Sequence, residues 1–230
     1  MNLEMTFINK LNNEINNLWN QAALSETLGR QPLYYHELKK NCVLFIGINP
    51  SFSSRGFESY LKDSNDFSRL NAETFYKHPN SNFDINESIE IEKEARKKYS
   101  YFKKFHVIDE DYEHIDLFLI RETNQAKLKK IIYRKGETLS EFAKKQIDIF
   151  HRILLEINPR VIVVANALAS QIIQTEFDTQ IDNEKGCHIL PINGKAVPIF
   201  YTSMLTGQRA LDNFSFERLK WHLDFVMAST

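Results

Sequence analysis

Hydrophobic positions fall into helix-spaced stripes and unbroken apolar runs, and their order along the chain predicts its elements. Phe7, Leu11, Ile15 and Leu18 recur at helical spacing in the Asn-rich "FINKLNNEINNLWNQ", which predicts an amphipathic helix over 7–24. The apolar run after Cys42 predicts a strand over 43–48, "IDLFLI" a second over 115–120, and "VIVVA" a third at Val161–Ala165. The third is β-branched and unalternated, the pattern of a central strand covered on both faces. Between the first two strands, 54–110 reads as an insertion-like helical region, clearest over 86–105, with loop signals at "KHPNSN" and "VIDEDYEH". Phe142, Ile149, Phe150, Ile153 and Leu154 share a face of a helix predicted over 139–157 and stopped by Asn158-Pro159. Asn166 is placed to cap the helix that follows the third strand. Asn193-Gly194 sits between apolar runs as a hairpin turn, and a last helix is predicted over 214–226.

Strands separated by helices imply βαβ units, hence an α/β protein, a three-layer α/β/α sandwich around a mainly parallel sheet. The 230 residues are 43% hydrophobic, enough for one sizeable core. With 7 Gly, 6 Pro and no linker-like stretch, a single domain over 1–230 is expected, with 1–40 as an amino-terminal helical segment. No run approaches the roughly eighteen apolar residues of a membrane span, and the opening "MNLEMTFINK" lacks signal-peptide character. A cytoplasmic protein with no membrane partner is the expectation.

The net charge of -1 argues against holding nucleic acid by bulk electrostatics, but two basic-aromatic stretches stand out, "KEARKKYSYFKKFH" and "KLKKIIYRK". Each reads either as a backbone-contacting surface or as a solvated helix face with its aromatics turned inward, and the second reading is preferred. Cys42 and Cys187 are far apart and read as buried thiols. His78, His106, His114, His151 and His188 show no metal-ligand spacing, so no metal is expected. Asp109, Glu110, Asp111 and Glu113 read as a solvated acidic loop.

In α/β folds, ligands bind at the carboxyl ends of the strands. Three unusual loops fall there: "GINPSFSSRG" after the first strand, "RETNQ" after the second and "TSMLTGQRALD" after the last. Gly47 would allow close backbone approach, and Pro50 would hold Asn49 extended, offering one amide donor and one carbonyl acceptor. The loop carries neither the P-loop lysine nor the glycines of a dinucleotide fingerprint, and no serine-hydrolase elbow or zinc-protease pair occurs in the chain.

A strand ending "GINPS" resembles the first motif of the uracil-DNA glycosylase superfamily, nearest the mismatch-specific uracil/thymine branch. "LLEINPRVIVVANALASQII" is similar to the helix, Asn-Pro, strand and helix that precede that superfamily's last motif. The resemblance implies a monofunctional glycosylase that uses no cofactor and acts on a base flipped from single- or double-stranded DNA. It makes Asn49 the holder of the attacking water and Phe52 the base-stacking aromatic. Arg121 or Asn124 would read the base edge, and Ser203 would stand in the place of the family's histidine as donor to the departing base. Met204 and Leu205 would be the wedge that replaces the flipped base, and Gln208 and Arg209 would approach phosphate or the orphaned partner base. Gly47, Ile48, Pro50, Ser51 and Thr206 complete the implied substrate-binding loops. Two departures are visible: Ser51 stands where the branch has glycine, and no histidine stands in "TSMLTGQR". The alternative is a fold of this type that binds nucleic acid, a nucleotide or a protein without chemistry. A third possibility is another α/β enzyme acting on a nucleotide or sugar phosphate, with Arg55, Arg121 and Arg209 as its anion contacts.

Overall fold

A computed structural model describes residues 6–22, 28–134, 138–207 and 210–228, and shows an α/β protein whose chain parts into two compact units. The first comprises the described residues of Met1–Glu37, Asn49–Tyr99 and Phe118–Ile149, and the second those of Leu38–Ile48, Ser100–Leu117 and Phe150–Thr230.

The second unit holds a mixed, mainly parallel six-stranded sheet flanked by helices. Its strands are β1 (Val43–Gly47), β2 (Tyr112–Asp116), β3 (Val161–Ala165), β4 (Gln180–Asp182), β5 (Cys187–Ile192) and β6 (Lys195–Thr202), in the order β2-β1-β3-β6-β5-β4. β1 pairs in parallel with both β2 and β3, and β3 in parallel with β6. Every side chain of β1 and β3 is buried, as their unalternated sequences require. β5 and β6 form the antiparallel hairpin, turned at Asn193 (φ 49°) and Gly194 (φ 75°). Two successive positive φ values are those of a type I′ turn, which suits Asn-Gly. An added Cβ at Gly194 meets nothing within 4 Å, so Gly194→Ala pays only for backbone strain. It is expected to lower stability by about 1 kcal/mol, read from the urea midpoint.

Asn166 caps the helix after β3 as expected: its Oδ1 accepts from the N–H groups of Leu168 and Ala169 at 2.9 and 3.1 Å. β2 differs from expectation. It begins three residues earlier than 115 and ends at Asp116, leaving the equally buried Leu117, Phe118, Leu119 and Ile120 outside the ladder. In the second unit Leu117 N–H donates to the Gly47 carbonyl. Beyond it the chain joins the first unit, where Leu119 N–H donates to Gln146 Oε1 (2.9 Å) and the Leu119 carbonyl accepts from Leu33 N–H (3.1 Å). A continuous apolar run marks burial, not where sheet pairing stops.

The first unit is helical: α1 (Phe7–Gln21), α2 (Ser54–Leu61), α3 (Ala72–Phe75), α4 (Ile85–Arg96) and α6 (Gln125–Ile132). α5 (Lys103–Ile108) belongs to the second unit, as do α8 (Ala167–Glu176) and α9 (Asn213–Ala228). α7 (Glu141–Ile157) gives its residues through Ile149 to the first unit and the rest to the second. The helix expected over 86–105 is therefore broken, and α4 stops at Arg96. α1 buries Leu11, Asn12, Ile15, Leu18 and Trp19. Buried Asn12 clamps Tyr35 from both sides, donating to its carbonyl at 2.7 Å and accepting from its N–H at 3.0 Å. Trp19 Nε1 donates to the Arg30 carbonyl at 3.0 Å. These bonds hold the 30–35 segment against α1, which matters for where Arg30 stands.

No described helix is long and apolar enough to cross a membrane.

Candidate functional site

The first unit carries the loop that follows β1. Asn49 Nδ2 donates to the carbonyls of Ile120 and Glu122, both at 2.7 Å, and more weakly to that of Pro50 at 3.3 Å. Two carbonyls at that distance fix which end of the amide is nitrogen. The side chain is half-buried, and among the described residues its Oδ1 accepts no hydrogen bond. Asn49 thus presents one pre-oriented acceptor. Thr123 ties the same loop down: its Oγ1 donates to the Phe52 carbonyl at 2.7 Å and lies 3.2 Å from both Phe52 N and Ser51 Oγ.

Between the two carbonyls that hold Asn49 comes Arg121, whose side chain goes inward. It is 3% exposed and pairs with Glu92 of α4 at 2.5 Å. Its guanidinium also lies 4.3 Å from the Tyr76 ring centroid and 5.8 Å from that of Phe52. Burial opposes the charge on Arg121, but Glu92 and the neighbouring Tyr76 and Tyr99 phenols outweigh it and raise its pKa. The Tyr76 and Tyr99 phenols are themselves pushed well up, by burial first and then by Glu92, so they stay neutral. Arg121 is thus committed to a buried ion pair rather than offered to a base edge. Asn124, the other base-edge candidate, caps α6: its Oδ1 accepts from Ala126 and Lys127 N–H at 2.9 and 3.1 Å.

Phe52 is 5% exposed and belongs to a core cluster with Phe57, Leu61, Ala72, Tyr76, Ile91 and Ala95. The Arg30 guanidinium stands 5.1 Å from its centroid. The stretch after Asn49, insertion-like in sequence, builds its own hydrophobic core here, and Phe52 is part of it. Ser51 is exposed and Pro50 half-buried.

In the second unit, β1, β2, β3 and β6 run parallel, so Gly47, Asp116, Ala165 and Thr202 end at one edge of the sheet. Gly47 is paired with Asp116 in the register. The space over Gly47, expected for a ligand, is taken by protein. A Cβ there would overlap Asp116 Oδ1 and stand 3.2 Å from His114 Nε2. Asp116 is 7% exposed, so it has little room to retreat. Gly47→Ala is therefore expected to cost about 1–3 kcal/mol, seen as a lower urea midpoint at unchanged slope. The Tyr101 phenol, pushed up by burial and by Asp116, completes this group, with its ring 5.6 Å from that of His114. Sequence reasoning missed Asp116, which looked like an ordinary residue inside an apolar run.

The last loop also belongs to the second unit, as does half-buried Ile48. Ser203 is exposed, Met204 and Thr206 half-buried, and Leu205 is 1% exposed, which makes it a core side chain rather than a free wedge. The loop closes on itself: Leu211 N–H donates to the Met204 carbonyl at 2.9 Å, and Gly207 turns at φ 91°. Gln208 and Arg209 lie outside the described residues.

The acidic loop is paired: Asp109 with Arg160 at 3.1 Å and Asp111 with Lys39 at 2.8 Å. Cys42 is fully buried and its thiol is pushed up to about 11, by burial first and then by Glu113 and Asp111, so it is no nucleophile. Among the described residues no three His, Cys, Asp or Glu gather as a metal site. No protein-family model and no curated protein matches the chain.

Proposed function

We propose that the protein is a monofunctional DNA glycosylase of the uracil-DNA glycosylase type, built on a three-layer α/β/α sandwich. It hydrolyses the N-glycosidic bond of uracil or a related damaged base. The observation that carries this reading is the anchoring of Asn49 Nδ2 on the Ile120 and Glu122 carbonyls, which leaves Oδ1 as a fixed acceptor. A water donating to Oδ1 is held with its own lone pair directed outward. That lone pair forms the bond to C1′ as the C1′–N bond breaks, and the bonding electrons leave on the base. The amide is too weakly basic to take the water's proton, which passes to solvent, so the products are an abasic sugar and a free base.

The alternative is a fold of this type that binds nucleic acid without cleaving it. It is favoured by the burial of Phe52 in a core cluster, which keeps that ring from stacking on a base, and by the absence of histidine from the last loop.

One experiment separates the two. Oligonucleotides carrying uracil, hypoxanthine or a mismatched thymine, single- and double-stranded, are incubated with the protein and then cleaved with alkali at any abasic site. Strand breaks that depend on Asn49 support the glycosylase. Salt-dependent binding with no breaks supports the binding protein.

A further inference from the structure

The two basic stretches of the sequence behave differently in the first unit. Lysines of α4 and just beyond it are neutralised: Lys93 by Glu90 at 2.7 Å, Lys97 by Glu94 at 2.5 Å, and Lys98 by Asp63 at 2.8 Å. Lys127 and Lys130 of α6 have no ion-pair partner among the described residues, and both are exposed. Three residues apart on a helix, they stand on one face.

That face borders an open cleft of about 370 Å³, lined among others by Gly29, Arg30, Glu73, Glu122, Lys127 and Lys130. The volume lies at the low end of the range for small-ligand sites. Three cations, Arg30, Lys127 and Lys130, against two carboxylates, Glu73 and Glu122, leave the lining with a net charge of +1. Glu122 Oε1 is engaged by Asn124 N–H at 2.7 Å, and Glu73 makes a long contact with Arg30 at 3.6 Å from a side chain that is 63% exposed. Arg30 Nε is buried with no hydrogen-bond partner among the described residues, a donor left unsatisfied. The Arg30 guanidinium beside two exposed, unpaired lysines is a set that recognises phosphate oxygens.

The cleft also adjoins the Asn49 loop within this unit. Glu122, which lines it, supplies a carbonyl to Asn49 Nδ2, and Arg30, which also lines it, lies over Phe52.

We propose that this cleft holds the phosphodiester backbone of a nucleic-acid strand through Arg30, Lys127 and Lys130. The identity of the strand as substrate rests on the glycosylase reading; the phosphate chemistry of the cleft does not. A free nucleotide offers the same phosphate oxygens and is the rival source.

The test compares wild type with the Lys127→Gln/Lys130→Gln variant. Both sites are exposed, so the fold is expected to persist, as circular dichroism would check. Binding of a fluorescein-labelled single-stranded oligonucleotide containing uracil is followed by anisotropy between about 50 and 200 mM salt. Loss of two phosphate contacts should make the slope of log K against log salt shallower by about 1.4 and weaken binding about tenfold. An unchanged slope and affinity would overturn the proposal. So would a wild type that binds deoxyuridine monophosphate but no oligonucleotide, which assigns the cleft to a free nucleotide.

Asn49→Ala is run beside them and should keep the wild-type slope. If the lysine variant loses slope while wild type releases no base, the cleft stands and the glycosylase reading falls. If base is released and the slope does not move, the reverse holds.

Discussion

Asn49→Ala is expected to lower base release at least about 100-fold, the scale of losing one pre-organised polar group at a reacting centre. The reason lies in what holds the amide. Both N–H bonds of Nδ2 are spent at 2.7 Å on main-chain carbonyls of Ile120 and Glu122, so the orientation of Oδ1 is set before any substrate arrives. Alanine removes the acceptor and also leaves two carbonyls without their donor. Asn49→Asp sharpens the test, because it keeps the size and an oxygen while deleting the donor. A carboxylate would then face the same two carbonyls, and the loop would be expected to lose about 1–3 kcal/mol. The expected order is therefore Asp below Ala in thermal midpoint, with base release slowed in both. A generic polar turn at Asn49 would give a different pattern, two mild stability losses and no effect on activity.

The second large effect is expected at the ion pair beneath that loop. Glu92→Ala should destabilise the protein by about 3–5 kcal/mol, since it strands the Arg121 guanidinium in a site where it is 3% exposed. Replacing both partners by apolar residues, Arg121→Met with Glu92→Leu, should recover most of that loss. A double-mutant cycle in urea measures the difference. Stability is half of the expectation. Arg121 lies between the two residues whose carbonyls grip Asn49, and its buried pairing with Glu92 anchors the segment that carries them. The apolar double variant should therefore fold well and still release base more slowly than wild type. Restored stability with full activity would show that the pair serves the core alone.

Much of the sheet was readable because its signals are local. "VIVVA" is continuous and β-branched, Asn166 precedes a helical stripe, and Asn193-Gly194 suits a type I′ turn; each appears in the structure where its pattern put it. β2 was misplaced because "IDLFLI" is buried throughout, whereas pairing stops at Asp116. The candidate site was legible in part. Asn49 at the end of the first strand could be singled out, but its partners are main-chain carbonyls, which have no side-chain signature. Arg121 looked exposed in the polar string "RETNQ", and its partner Glu92 lies in a helix whose charges otherwise form a solvated face. Nothing in spacing links two such distant charges. The resemblance made Phe52 a base stacker, but its burial depends on α2, α3 and α4 closing over it, a packing event that a one-dimensional pattern does not encode. The two basic stretches looked alike because composition counts lysines without showing which have acidic partners.

The central claim is that Asn49 positions a water for hydrolysis, and single-turnover release of free uracil tests it most directly. Wild type and Asn49→Ala, each shown to be folded, are held in excess over a single-stranded oligonucleotide with one uracil, and the free base is followed by mass spectrometry. The expected result is uracil released by wild type and at least about 100-fold slower release by the variant, with DNA affinity little changed. No release by wild type, or equal release by both proteins, would contradict it.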